Sequence, residues 1–130
     1  MTHEMEEQVT AAAAAIVSAF GSHNTAAYFD GFASDASFVF YTSPERLDSR
    51  AAYERLWAEW ESEAGFKVHG CVSRNGRVQL HAGVGIFVHD VETDVELDAV
   101  RTTVLERETI VFELRAGKWL AVHEHLSPQP

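Results

Sequence analysis

Ten residues following Gly117 alternate strictly between two faces, and this run constrains the fold more than any other stretch of the chain. Trp119, Ala121, His123, His125 and Ser127 fall on one face; Leu120, Val122, Glu124 and Leu126 fall on the other. A period of two sustained over this length specifies a β-strand, because successive strand side chains point to opposite sides. Both faces carry polar groups, so neither is pure core. The strand is expected to border a cavity or an interface.

Upstream, helical patterns come first and strand patterns follow. Met5, Val9, Ala12, Ile16 and Phe20 recur at helical spacing, with Gly21 placed to end the helix. Asn24 can cap a short second helix that runs through Phe29 and stops near Gly31. Residues 33–41 change period, with Phe38 and Phe40 on one face, until Thr42-Ser43-Pro44 breaks the strand. Ser49 or Asp48 can cap a third helix, whose stripe of Tyr53, Leu56, Trp57, Trp60 and Ala64 ends at Gly65.

From Phe66 onward the pattern is strand. Residues 67–74 and 77–89 flank Asn75-Gly76, the strongest short hairpin signal. A strict two-residue turn there would set Cys71 opposite Leu80 and Val72 opposite Gln79, mixing apolar with polar, so a bulge near the turn is expected. The acidic stretch 92–98 reads as a solvated loop or hairpin end. Residues 100–115 and 118–127 read as a last long hairpin around Ala116-Gly117. No internal repeat or second domain is visible, so residues 1–130 form a single α+β domain. Its three N-terminal helices pack on one face of a curved, mostly antiparallel sheet, whose open end leaves a pocket.

Several short motifs carry a resemblance. Glu108-Thr109, Gly117-Lys118-Trp119, Val122-His123-x-His125-x-Ser127, Leu56-Trp57 and Val68-His69 resemble the NTF2-like, or SnoaL-like, superfamily of cystatin-like α+β cones, which includes ketosteroid isomerases. The nearest likeness is to the association (hub) domain of calcium/calmodulin-dependent protein kinase II and its bacterial stand-alone relatives. Members of the superfamily act as isomerases, cyclases, dehydratases, binding proteins and assembly domains, so the likeness implies the fold more sharply than the activity. Hub domains line a pocket with a tryptophan on the third helix and arginines on the last two long strands. Trp57 matches that tryptophan, whereas the arginine positions fall at Ile110 and Leu126. A carboxylate ligand would need another cation here, with Arg101 and Arg107 the nearest candidates.

By this resemblance Ile110 and Leu126 face the pocket, and strand parity then places Glu108 and Glu124 beside them. Two carboxylates in an apolar cavity lose hydration and repel each other, which raises a pKa and suits a general acid or base. Ketosteroid isomerases use acidic residues in a similar cone. The plainer alternative pairs each glutamate with Arg107 or His125, or turns it toward a dimer partner. Glu108 and Glu124 are the candidate catalytic residues; Trp57, Tyr28, Phe40, Tyr53, Ile110, Leu126 and Arg101 are the candidate ligand-binding residues. Trp60 is expected in the core, and Cys71 as a buried thiol. His123 and His125 could both reach one metal, but no third ligand stands at a diagnostic spacing. Together with Trp119 they are expected at a homodimer interface on the convex face. No metal and no cofactor is expected.

Charge narrows the partners. A net charge of −10 with no Lys or Arg cluster argues against a nucleic-acid surface. The one cysteine excludes an intrachain disulfide. Ala11 to Ala15 follow Glu4, Glu6 and Glu7, whereas a secretory signal starts basic. No stretch is long and apolar enough for a membrane span, and a cytoplasmic protein is expected. The functional expectation is a small-molecule-binding protein, with isomerase, cyclase or dehydratase chemistry on its carboxylates. The alternative is a non-catalytic oligomerisation or association domain.

Overall fold

A computed structural model describes residues 2–130. Helix α1 (Thr2–Gly21) buries Val9, Ala13, Ile16 and Ala19 and leaves Met5 exposed, so its apolar stripe starts one turn later than the spacing suggests. Helix α2 (Thr25–Asp30) starts where the Asn24 side chain accepts the Ala27 N–H at 3.3 Å. Strand β1 (Phe32–Phe40) leads to helix α3 (Arg50–Ala64), which Ser49 caps by accepting the Ala52 N–H at 3.1 Å. Gly65, at φ 62°, takes the left-handed turn that ends α3. Four strands follow: β2 (Lys67–His81), β3 (Val84–Leu97), β4 (Val100–Arg115) and β5 (Lys118–Pro128).

The strands form one sheet in the order β1-β5-β4-β3-β2. Only β1 and β5 run parallel; the other neighbours are antiparallel. The helices cover the inner face, and the core between them is largely aromatic: Phe29, Phe32, Phe38, Tyr53, Trp57 and Phe112 are all buried. The α+β cone with three helices before the long strands is the expected architecture.

Two segments depart from the expected boundaries. Asn75-Gly76 is not a hairpin turn: β2 continues through it, and the chain reverses at Ala82-Gly83. Arg74 faces Asp90 while Arg77 faces Val88, so β2 carries one more residue than β3 at this point. Asn75 sits at φ 56° and its amide donates to the Asp90 carboxylate at 2.8 Å. The left-handed tolerance of Asn, which reads as a turn in sequence, here builds a bulge that bends a long strand. The acidic stretch 92–98 is not a loop either. Residues up to Leu97 belong to β3, where Val91, Thr93 and Val95 are buried and Glu92, Asp94 and Glu96 alternate with them on the outer face. The reversal comes at Asp98-Ala99, with φ 52° and 65°.

A further bulge re-aims β5. Val111 pairs with His123 but Phe112 pairs with Ala121, so Val122 is an extra residue. Trp119 and Ala121 therefore share the inner face with Glu124 and Leu126, and strict alternation holds only on each side of Val122. The assignment of Trp119 to an exposed interface is corrected: it is 8% exposed, and its Nε1 donates to Gln8 of α1 at 2.9 Å. His123 and His125 stay on the outer face.

Candidate functional site

A cavity of about 390 Å³ lies between the inner face of the sheet and the helices. Aromatic and aliphatic groups form most of its wall, among them Phe20, Phe40, Tyr53, Trp60, Val95 and Leu126. Tyr28, Glu106, Glu108 and Glu124 supply its polar groups along with Tyr41, Thr42 and Thr93. No Lys or Arg lines it.

Glu124 and Glu108 meet because β4 and β5 are adjacent and both side chains point inward, Glu108 opposite Leu126 and Glu124 opposite Ile110. The two carboxyls hydrogen-bond to each other. Their environments differ. Burial pushes Glu124 well above the usual carboxylate range, and the charge of Glu108 together with the bond to it pushes further. Burial alone would raise Glu108 too, but the bonds from Glu124 and His89 hold it below its ordinary value. The His89 bond is short, Nε2 to Glu108 Oε1 at 2.7 Å, with His89 itself 1% exposed. The two carboxyls are thus driven in opposite directions, Glu124 toward holding a proton and Glu108 toward releasing one. Groups whose pKa values are driven apart in one cavity are matched to acid and base roles.

Two phenols extend this network. Tyr28 donates to Glu124 Oε1 at 3.4 Å and stands 3.0 Å from the Tyr53 hydroxyl. Burial first, then the charge of Glu124, raises both phenols well above their usual value, so each is a neutral donor. Glu106, two residues before Glu108 on β4, accepts a 2.6 Å bond from Tyr41. Burial raises its pKa, with the Tyr41 bond opposing.

The structure brings six of the expected site residues together: Glu108, Glu124, Tyr28, Phe40, Tyr53 and Leu126 all line the cavity. Three expected ligand-binding residues lie elsewhere. Trp57 is core, 1% exposed, its Nε1 donating to Thr25 at 3.2 Å and its ring against Phe66. Trp60, one turn of α3 away, takes the place at the wall. Ile110 faces inward but is fully packed beneath the cavity, and Arg101 stands exposed on the outer face, paired with Asp94 at 2.5 Å. Arg107 is likewise spent on Asp90 at 3.5 Å. Neither alternative partner for the glutamates, Arg107 or His125, reaches them from the outer face. Cys71 is only partly buried and borders the cavity, with its thiol pushed up to about 11 by burial.

His89, Glu106 and Tyr41 were not among the expected site residues. Glu106 shares the parity of Glu108 and Ile110, and His89 shares that of Phe87, Val91 and Val95, so alternation within a correctly bounded strand identifies both. The histidines do not gather: His69 bonds Glu96, His89 bonds Glu108, and His123 bonds Ser37. Among the described residues no group of three or more His, Cys, Asp or Glu side chains could hold a metal ion, and no helix is long and apolar enough to cross a membrane.

Residues 9–130 match the family model described as a SnoaL-like domain. Solved structures with the same fold include a ketosteroid isomerase-like protein from Erwinia carotovora atroseptica, 19% identical over 98% of each chain, with a TM-score of 0.81. A candidate dehydratase of the NTF2-like family from Streptomyces avermitilis is 16% identical over 100% of this chain and 99% of its own, TM-score 0.78. A candidate Ca/calmodulin-dependent kinase II association domain from Exiguobacterium sibiricum is 15% identical over 95% and 92%, TM-score 0.77. At such identities the likeness establishes the fold alone. No functionally curated protein matches the sequence.

Proposed function

The chain belongs to the SnoaL-like domain family of the NTF2-like superfamily, and on that premise we propose that its cavity binds a small, largely apolar, uncharged molecule and moves a proton on it. Glu108 is the general base and Glu124, with Tyr28 beside it, the general acid. The observation that supports this reading is a pair of buried glutamates on one apolar cavity wall, with burial and Glu108 raising Glu124 while His89 and Glu124 hold Glu108 low. An enolisable carbonyl compound suits the set. Glu108 takes a proton from the carbon next to the carbonyl while Glu124 gives one to the oxygen, leaving a neutral enol. Glu108 then returns its proton to another carbon of the enol system, or to a β-hydroxyl that leaves as water, while Glu124 takes the enol proton back. Without Lys or Arg on the wall, and with three carboxyl groups there, an anionic substrate would be repelled.

Deuterium incorporation tests this. In D2O, a panel of enolisable ketones and β-hydroxy carbonyl compounds is followed by proton NMR with the native chain and with Glu108→Gln. Exchange by the native chain, reduced about 100- to 10,000-fold in the variant, is expected for loss of a positioned base. No exchange with any compound, or equal exchange by Glu108→Gln, overturns the proposal.

The second reading is a non-catalytic association domain. Its support is the likeness to the Exiguobacterium protein and the exposed apolar groups of the outer face, such as Val88. An unfilled cavity holding both glutamates weighs for the first reading. Either way we propose a cytoplasmic homodimer joined through the outer face of the sheet.

A further inference from the structure

His89 bonds one residue from the lining of each of two cavities. Its Nε2 meets Glu108, which lines the cavity described above, at 2.7 Å, and its Nδ1 meets the Ser73 hydroxyl at 2.5 Å. Ser73 is exposed and lines a second cleft, about 690 Å³, between α1 and β2. The geometry fits the tautomer in which Nε2 donates to the Glu108 carboxylate and Nδ1 accepts from the Ser73 O–H. Hydroxyl, imidazole and carboxylate then stand in the order that activates a serine: the base reaches the nucleophile and the carboxylate orients the base. The ladder holds this order, since His89 faces Glu108 across β3 and β4, and Ser73 faces Val91, two residues along β3 from His89.

We propose that Ser73 is a nucleophile, activated by His89 and Glu108, toward uncharged activated acyl compounds such as aryl esters or thioesters. Val17, Val78 and Phe87 give the cleft an apolar wall for the acyl chain; Glu6 lines it and no Lys or Arg does, which disfavours anionic substrates. In the reaction the Ser73 oxygen bonds to the acyl carbon and its proton passes to Nδ1 of His89, the resulting imidazolium being held by Glu108. The bond from carbon to the leaving oxygen or sulfur breaks, and that atom takes the proton from His89. Water then attacks acyl-Ser73 by the same route, releasing a carboxylic acid and restoring the hydroxyl.

The test uses a neutral alkyl fluorophosphonate at pH 7.5 on the folded chain, read by intact mass and peptide mapping. One phosphonyl group on Ser73, formed with loss of HF, is expected; Ser73→Ala should abolish it, and His89→Gln should slow it at least 100-fold. Because His89 is buried and its variant can fail to fold, Ser73→Cys supplies an independent measure. Next to His89 its thiol should react with iodoacetamide at pH 6 at least 10-fold faster than free cysteine, while Cys71 stays unmodified, its thiol being pushed up to about 11 by burial. An unlabelled Ser73, equal labelling in a folded His89→Gln, or a Ser73→Cys thiol no faster than free cysteine overturns the proposal. Labelling needs no substrate of the first cavity, so its failure would leave the proton-transfer reading standing.

Discussion

Glu124 is a buried carboxyl whose pKa the fold raises, and that has a cost in stability with a definite pH signature. In the unfolded chain a glutamate ionises near its ordinary value of 4.5, whereas the folded pKa is raised by burial and by Glu108. Below the ordinary value both states hold the proton, and the folded state is not penalised. As pH rises toward the folded pKa only the unfolded state releases it, so stability falls. Glu108, shifted the other way, loses its stabilising contribution as pH falls through its own lowered value. Glu124→Gln keeps a neutral donor for Glu108 and an acceptor for Tyr28 with no proton to lose. It should raise urea-unfolding stability by about 1 kcal/mol at pH 7.5, the usual size for relief of a functionally constrained position, and give no gain at pH 4.5. A gain independent of pH, or a loss at pH 7.5, would contradict a protonated Glu124. At this scale the sequence was informative where parity carried the inference: both glutamates face inward together. It was misleading where one helical residue had to be chosen from a stripe, because Trp57 and Trp60 lie on nearly the same face of α3 and only packing depth separates core from wall.

At the scale of elements, caps and turns were legible because they rest on local chemistry. Asn24, Ser49, Gly65 and Ala116-Gly117 all sit where their conformational preferences place them. The β2 bulge was legible from the apolar-polar mismatch across Asn75-Gly76, although the turn expected beside it lies at Ala82-Gly83. The β5 bulge left no such sign, since a single inserted residue has no local signature of its own. The β5 bulge at Val122 is why Trp119 was assigned to the wrong face while Glu124 was assigned to the right one. Long strands with inward valines and outward acids also hide β3, whose acidic residues mimic a loop until the alternation is counted. Packing of α1 on the sheet depends on a small residue at Gly85. A Cβ there would lie 2.7 Å from Val9 Cγ2, and Val9 is fully buried under the helix. Gly85→Ala should therefore destabilise the domain by about 1–3 kcal/mol through overpacking, measured as a lower urea midpoint with an unchanged slope. Pairing it with Val9→Ala, which removes the obstructing methyls, should recover part of that loss relative to Val9→Ala alone; strict additivity would show that the two sites do not meet.

The whole molecule presents two charge-poor rows on the outer face of its sheet. One row crosses from Val39 through His125 and Thr109 to Val88 and Arg77; the next runs Ser37, His123, Val111, Ile86 and Gln79. Arg77 is the one permanently charged side chain in either row, and it stands on the edge strand. Burial and the neighbouring His125 lower the His123 pKa, so His123 is neutral near pH 7, with its ring bonded to Ser37 at 2.8 Å. Elsewhere on this face Arg107 and Asp90, and Arg101 and Asp94, form pairs that bound the patch on one side. Depletion of charge in the middle with a polar rim is the pattern of a protein interface, and a five-stranded face is wide enough for the 1,200–2,000 Å² that a stable pair buries, to order of magnitude. The chain at about 10 μM should therefore scatter light as two copies. Val88, 37% exposed near the middle of the first row, gives the matching variant. Val88→Arg would bring two cations into the shared patch without touching the core or either cavity, and should yield a monomer with an unchanged circular dichroism spectrum. A native chain that scatters as one copy would remove the dimer, and with it the main physical support for an association role, while leaving both proposed chemistries to be judged on their own assays.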